Sequence, residues 1–169
     1  MPLNIEIKAR CNHPNKIQKI LENKNARYIG TDHQVDTYFN VKNGRLKLRE
    51  GNIENNLIHY MRSDRAGPKK SEVQLYKSTP GSNLKNTLTA ALGIFKTVDK
   101  QRRIYFIGNV KFHIDEVKGL GSFVEIEAID EDGNIGLEKL NGQCGYYMEL
   151  FGLSEEDLVE GSYSDMVEK

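Results

Sequence analysis

The chain has 169 residues with 24 basic and 24 acidic side chains, so its formal net charge is zero. This length is typical of a single domain and is sufficient to build a hydrophobic core. Proteins that bind nucleic acid or membrane surfaces in general usually carry a basic excess. The balanced charge argues against those classes and restricts any basic site to a local one.

The sequence predicts a cytoplasmic protein. It contains no apolar run long enough to span a membrane, and the opening residues MPLNIEIKARC lack the apolar stretch of a signal peptide. Cys11 and Cys144 are isolated in the sequence and show no metal-ligand spacing. They are predicted to be free thiols in a reducing compartment rather than a disulfide.

The first half of the chain is predicted to contain five strands and one helix. A strand over residues 2–10 precedes a helix that has Pro14 in its first turn and apolar residues at helical spacing. Four strand-like runs follow, at residues 33–41, 44–50, 56–63 and 71–78. The dipeptide Asn43-Gly44 favours a tight hairpin turn between the first two of these runs.

The second half is predicted to contain three further strands and three helices. A helix near residues 83–93 precedes strands at 95–107, 110–117 and 122–129. A helix over 135–151 and a short one from Ser154 complete the chain. These elements indicate one α+β domain, residues 1–169, with about eight mostly antiparallel strands.

Six of the extended segments carry polar or charged residues of mixed sign at every second position. They are Asn4-Glu6-Lys8, Arg45-Lys47-Arg49, Tyr60-Arg62-Asp64, Lys100-Arg102, Lys111-His113-Asp115 and Glu125-Glu127. Because strand side chains alternate between faces, each segment has one ionic and one largely apolar face. A single such strand is usually half-buried at the surface of a sheet. Six together favour a closed barrel with an ionic lumen and helices covering its apolar outer face.

A lumen that holds both carboxylates and cations suits a metal-bound polyanion. Asp115, Glu125 and Glu127 could supply oxygen ligands to Mg²⁺ or Mn²⁺, with substrate phosphates completing the coordination. The cations that could bind phosphate oxygens are Arg45, Lys47, Arg49, Arg62, Lys100 and Arg102. No glycine-rich phosphate loop precedes a helix, which argues against a P-loop or Rossmann mode of binding.

Six segments together, in order along nearly the whole chain, carry a resemblance to a known family. They are Ile5-Glu6-Ile7-Lys8, HQVDTYF (33–39), RLKLRE (45–50), KQRRIYFIG (100–108), HIDEVKGLGSFVEIEA (113–128) and GSYSDM (161–166). The chain resembles the CYTH family of triphosphate tunnel metalloenzymes, named for class IV adenylyl cyclase and thiamine triphosphatase. The resemblance implies an eight-stranded antiparallel β-barrel that binds a triphosphate in its tunnel with one or two Mg²⁺ or Mn²⁺ ions, with helices packed outside.

The resemblance also implies roles for individual residues. Glu6, Asp115, Glu125 and Glu127 would be the metal ligands. Phosphate would be bound by Lys8, Arg49, Arg62, Lys100 and Arg102, and strand alternation adds Arg45 and Lys47 to that set. The residues expected to act in catalysis are Glu6, Lys8, Lys100 and Asp115.

The chain departs from the family pattern at Asn4, where the family motif Glu-x-Glu-x-Lys has its first glutamate. Asparagine keeps an oxygen ligand but loses a charge, which should weaken the binding of a second metal ion more than that of the first.

The predicted function is metal-dependent hydrolysis of an organic or inorganic triphosphate. The alternatives are a class IV adenylyl cyclase that converts ATP to cyclic AMP and pyrophosphate, and a catalytically weak polyphosphate- or nucleotide-binding module. The expected partner is the small-molecule substrate, without nucleic acid or membrane, and the chain is expected to be a monomer or homodimer.

Overall fold

Eight antiparallel strands close into a barrel in the computed structural model, which describes residues 3–62 and 66–167 apart from the side chain of Arg62. The order around the barrel is β1-β5-β4-β3-β2-β6-β7-β8, and β8 pairs with β1. The predicted fold class is confirmed. The strands are β1 (Leu3–Arg10), β2 (Arg27–Phe39), β3 (Arg45–Glu50), β4 (Asn55–Arg62), β5 (Lys69–Lys77), β6 (Ile94–Ile107), β7 (Val110–Val117) and β8 (Gly121–Asp130).

Four α-helices accompany the barrel in the described part of the chain: α1 (Pro14–Asn23), α2 (Leu84–Leu92), α3 (Leu137–Leu150) and α4 (Tyr163–Met166). A 3₁₀ helix (Glu155–Asp157) follows Ser154, as predicted, and begins with a capping box. None of the helices formed by residues 3–62 and 66–167 combines the length and the apolar character needed to cross a membrane.

Two elements differ from the predictions. Strand β2 begins at Arg27 rather than at residue 33, because its first half pairs with β6 over residues 102–106. That pairing is long-range, and the local sequence around Gly30, where the register shifts, shows no strand periodicity. Helix α4 was not predicted, because its single turn is too short to show helical spacing.

The apolar outer faces of β1, β7 and β8 are covered by α1 and α3. Ile17 and Leu21 of α1 and Leu140 and Cys144 of α3 share one core with outward residues of these strands, which include Ile5, Ile7, Phe112, Ile114, Val124 and Ile126. Cys11 and Cys144 are buried free thiols, as predicted. Burying this face under helices places the alternate, charged positions of the same strands in the lumen.

The C-terminal segment, residues 158–167, covers the end of the barrel at which β1 finishes. Val159 and Tyr163 pack with inward apolar side chains of the strands, which are Tyr38, Ile58, Tyr60, Val98, Val117 and Phe123. Polar contacts that hold the segment include Val159 N to Lys8 O at 2.9 Å, Lys96 Nζ to Val167 O at 2.6 Å, and Arg45 Nη2 to Asp165 Oδ1 at 2.9 Å.

Candidate functional site

The lumen of the barrel is a cavity lined mainly by charged side chains. Predicted site residues that line it are Glu6, Lys8, Lys47, Arg49, Lys100, Arg102, Glu125 and Glu127. Strand alternation places them there, as expected from the sequence. The wall formed by β4 and β5 is different in character, since its lining residues are Asn56, Ile58, Tyr60, Ser71, Val73 and Leu75.

Two predicted site residues do not line this cavity. Arg45 forms an ion pair with Asp165 of the C-terminal segment, so its role as a phosphate ligand stays a prediction that this geometry does not support. The alternation continues along β3 to Arg45, but there the C-terminal segment replaces the lumen. Asp115 lies behind the cavity wall, against Arg102. The side chain of Arg62 and the whole of Asp64 lie outside the described residues.

Asp36 of β2 organises the cationic side of the lumen. It is fully buried, and Arg49 donates to it through Nε and Nη2, each at 2.9 Å. Lys100 Nζ lies 2.7 Å and Lys47 Nζ 3.5 Å from the same carboxylate. Burial alone would raise the pKa of Asp36, but these three cations hold it well below its ordinary value. Sequence reasoning missed Asp36, although the alternation of Asp32, Gln34 and Asp36 was a visible signal.

Asp115 holds Arg102 in the same way that Asp36 holds Arg49. Arg102 Nε and Nη2 donate to its two oxygens at 2.8 and 2.7 Å, and Tyr163 Oη donates to Oδ2 at 2.7 Å. Burial would raise the pKa of Asp115, but Arg102 lowers it. Both oxygens therefore accept hydrogen bonds, and Asp115 orients Arg102. Its expected place among the metal ligands stays a prediction.

The carboxylates of β1 and β8 form the opposite side of the lumen. Glu6 and Glu127 are direct cross-strand neighbours in the register. Burial raises the pKa of Glu127 to about 7, with Glu6 and Glu125 acting in the same direction and Lys111 opposing them. Asn4 Nδ2 donates to Glu127 Oε1 at 2.8 Å, and Asn4 Oδ1 is buried without a hydrogen-bond partner among the described residues. Like charges directly opposite each other in a sheet are unfavourable.

Glu125 is surrounded by cations and an imidazole. Its Oε1 lies 3.7 Å from Lys8 Nζ and 3.3 Å from Arg102 Nη2, and its Oε2 lies 3.4 Å from His113 Nδ1. Within residues 3–62 and 66–167, no three His, Cys, Asp or Glu side chains converge so that they could hold a metal ion. The expected set of four metal ligands therefore stays a prediction.

Two buried groups of the lumen have strongly lowered pKa values. Burial lowers the pKa of Lys100 to about 7, with Arg102, Arg49 and Lys47 adding to the effect and Asp36 opposing it. Burial and Arg102 lower the pKa of His113 to about 4, so its ring is neutral at pH 7. Lys100 can therefore exchange a proton near neutral pH, whereas His113 cannot act as a cation there.

Two further lumen residues were missed as site residues. Tyr163 places its ring 3.7 Å from Lys8 Nζ and its hydroxyl on Asp115. Glu54 enters the lumen from the turn between β3 and β4 and contacts Lys111. Neither residue belongs to an alternating strand segment, so strand periodicity could not identify them. The motif GSYSDM contained Tyr163, but it did not indicate the contact with Asp115.

We expect Glu127→Gln to remove a pH-dependent loss of stability from the ligand-free protein. Between its ordinary pKa of 4.5 and about 7, folded Glu127 retains a proton that the unfolded chain has released. Stability therefore falls as the pH rises through this window. Because Gln cannot ionise, the variant should gain on the order of 2 kcal/mol relative to wild type between pH 5 and pH 8.

Urea unfolding with a metal chelator measures this difference. Glu116→Gln, at an exposed carboxylate on β7, is the control and should follow the wild-type pH dependence. If the free energy of unfolding depended on pH in the same way for wild type and Glu127→Gln, the ionisation of Glu127 would not be the cause of the loss of stability.

Comparison with known proteins agrees with this architecture. The family model described as "CYTH domain" matches residues 2–163. A Methanocaldococcus jannaschii protein, provisionally named an adenylate cyclase, is 24% identical over 97% of this chain and 98% of its own length. A solved structure from Pyrococcus horikoshii has a TM-score of 0.81 and 23% identity, covering 98% of this chain and 99% of that one. A Hippeastrum protein, provisionally named an adenylyl cyclase and reported to show dominant triphosphatase activity, has a TM-score of 0.60 and 14% identity. That match covers 90% of this chain and 89% of the other. The extent of the family match shows that this chain belongs to the CYTH domain family.

Proposed function

We propose that this protein hydrolyses a triphosphate in its lumen with the help of a divalent metal ion. The observation that carries the proposal is that one cavity is lined by both cations and carboxylates. The cations that line it in the described part of the chain are Lys8, Lys47, Arg49, Lys100, Arg102 and Lys111. Glu6 and Glu127 line the same cavity and are cross-strand neighbours on β1 and β8. A phosphate chain with a bound cation complements both sides.

The cationic side is preorganised for phosphate. Arg49 and Arg102 are each held by two hydrogen bonds to a fully buried aspartate, Asp36 and Asp115 respectively. Their orientation is therefore fixed before an anion enters. Fixed donors aimed at a site of developing charge stabilise a phosphoryl-transfer transition state without the cost of rearrangement.

The carboxylate side fits a divalent cation. Mg²⁺ is usually bound by one or two carboxylates together with substrate phosphates, and Glu6 and Glu127 provide such a pair. The unpartnered Asn4 Oδ1 and the raised pKa of Glu127 are both features that a cation would relieve. When bound, Mg²⁺ or Mn²⁺ would supply Lewis acidity at the phosphoryl group and orient the attacking water.

Lys100 is one lumen group that can hold or release a proton near neutral pH. Its Nζ lies 2.7 Å from Asp36 Oδ2, and its pKa of about 7 lets it carry or release a proton near neutral pH. A proton given to the departing phosphate would lower the cost of its leaving. Lys8 Nζ and Lys100 Nζ lie 3.7 and 5.7 Å from the centre of the same Tyr163 ring, so Lys8 contributes a second positive charge nearby.

A second candidate is an adenylyl cyclase. It is supported by the uncharged wall of Ile58, Val73 and Leu75, which could receive the organic part of ATP, and by the provisional name of the M. jannaschii relative. We favour triphosphate hydrolysis because the preorganised part of the site is its set of oriented arginines, which suits phosphate. The activity reported for the Hippeastrum protein of similar fold also supports it.

We expect phosphate release from at least one of ATP, thiamine triphosphate and tripolyphosphate, and only with Mg²⁺ or Mn²⁺ present. The assay follows phosphate, pyrophosphate and cyclic AMP in parallel. Cyclic AMP with pyrophosphate from ATP would instead establish the cyclase. A thermal shift with a triphosphate but no product would establish the binding module. The absence of both a thermal shift and a product would reject a triphosphate site.

We expect Glu125→Gln to reduce kcat/KM by about 100-fold or more, and Arg45→Ala to change it by less than about threefold. Glu125 lies in the lumen between Lys8 and Arg102, whereas Arg45 pairs with Asp165 of the C-terminal segment and does not line the lumen. Steady-state kinetics at saturating metal measures both. Equal losses would mean that the carboxylate side of the lumen has no special part in turnover.

We expect Asn4→Glu to lower the Mn²⁺ concentration needed for half-maximal turnover. Asn4 lines the cavity and contacts Glu127, so a glutamate there adds a third charge beside the Glu6–Glu127 pair. Asn56→Glu, which adds the same charge on the β4 wall, is the matched control and should leave the metal dependence unchanged. Identical metal titrations for wild type and Asn4→Glu would show that one metal ion suffices.

A further inference from the structure

The turn between β3 and β4 is fixed by side chains on both of its flanks. Asp32, fully buried in β2, accepts hydrogen bonds from the three successive backbone N–H groups of residues 52–54, at 2.6, 2.9 and 2.9 Å. Asn55 closes the turn with two hydrogen bonds to the backbone of Gly51, at 3.1 and 2.9 Å. A Cβ atom at Gly51 would lie 2.7 Å from both Asp32 oxygens, so the approach requires glycine.

This turn directs the carboxylate of Glu54 into the lumen. Glu54 Oε2 lies 2.5 Å from Lys111 Nζ, and Oε1 accepts from Gln34 Nε2 at 3.0 Å and from Arg49 Nη1 at 3.5 Å. Burial would raise the pKa of Glu54, but Lys111 and Arg49 hold it well below its ordinary value. Glu54 is therefore an anion already seated on two cations of the lumen.

Glu54 differs from the aspartates that orient the arginines. Asp36 and Asp115 are fully buried and do not line the cavity, so Arg49 and Arg102 lie between them and a bound ligand. Glu54 lines the cavity itself, and 19% of its side chain is exposed. It also comes from a turn, at the opposite end of β3 from the contact between Arg45 and the C-terminal segment.

We infer that Glu54 is an internal competitor of the substrate's phosphate groups for Lys111 and Arg49. In the ligand-free protein it neutralises these cations, and an entering polyphosphate must displace it or bind against its charge. Glu54 therefore sets how strongly the lumen binds polyanions. The inference rests on the proposed function in one respect, that phosphate groups occupy this lumen.

Isothermal titration with tripolyphosphate, without metal, tests the inference independently of turnover. Glu54→Gln keeps the size of the side chain and an oxygen for Gln34 but removes the charge. Its Kd for tripolyphosphate should be lower than that of wild type by about tenfold. Glu50→Gln is the matched control, because Glu50 flanks the same turn and pairs outside the lumen with Lys85, at 3.7 Å. Its Kd should equal that of wild type.

A second comparison isolates the contact. The gain from Glu54→Gln should be smaller in a Lys111→Met background, since the competition for Lys111 is then removed and only that for Arg49 remains. An unchanged or higher Kd for Glu54→Gln would overturn the inference, and so would the absence of tripolyphosphate binding to both wild type and variant. It would also be overturned if Glu50→Gln tightened binding equally, or if Glu54→Gln tightened binding to the full extent in the Lys111→Met background. Wild type that binds tripolyphosphate but hydrolyses no triphosphate would remove the proposed function alone. Turnover in wild type without tighter binding by Glu54→Gln would remove the role of Glu54 alone.

Discussion

The lumen depends on buried cations that strand register places directly against buried carboxylates. Asp36 holds Arg49 and Lys100, and Asp115 holds Arg102, with all five side chains almost fully removed from solvent. Moving such charges out of water is expensive, and removing one partner of a buried pair typically costs about 3–5 kcal/mol, because the other charge is left uncompensated. The fold can therefore keep a charged interior only if these pairs form. The same pairs fix the orientation of the cations that a phosphate would meet.

The carboxylates of the lumen fall into two groups with opposite electrostatics. Asp36 and Asp115 lie behind cations that lower their pKa values, so they stay ionised and act as fixed counter-charges. Glu127 lies opposite Glu6, and its pKa is raised to about 7. The first group stabilises the ligand-free protein, whereas the second favours a bound cation. The lumen therefore contains both fixed counter-charges to its cations and one like-charged pair, at which the proposed metal ion would bind.

The sequence predicted those features of the site that depend on neighbouring residues of one strand, and missed those that depend on contacts between distant segments. Alternation along a strand is local, so it correctly placed Glu6, Lys8 and Lys100 in one lumen. The contact between Asp36 and Arg49 depends on the register of β2 against β3, which alternation does not determine. Alternation does not show where the C-terminal segment ends the lumen, so it could not indicate that Arg45 pairs with Asp165 outside the cavity. Glu54 depends on a turn that is closed by Asp32, twenty residues or more before it in the sequence.

Tyr163 connects the covered end of the barrel to the charged lumen. Its ring packs against Phe123 at 5.1 Å in the apolar cluster, while its hydroxyl donates to Asp115, the partner of Arg102. The C-terminal segment therefore does more than exclude water from one end, because it completes the hydrogen bonding of a carboxylate that orients a lumen arginine. The turn that carries Glu54 lies at the other end of β3. Under the proposed function, a phosphate chain that entered from that end would therefore meet this internal anion.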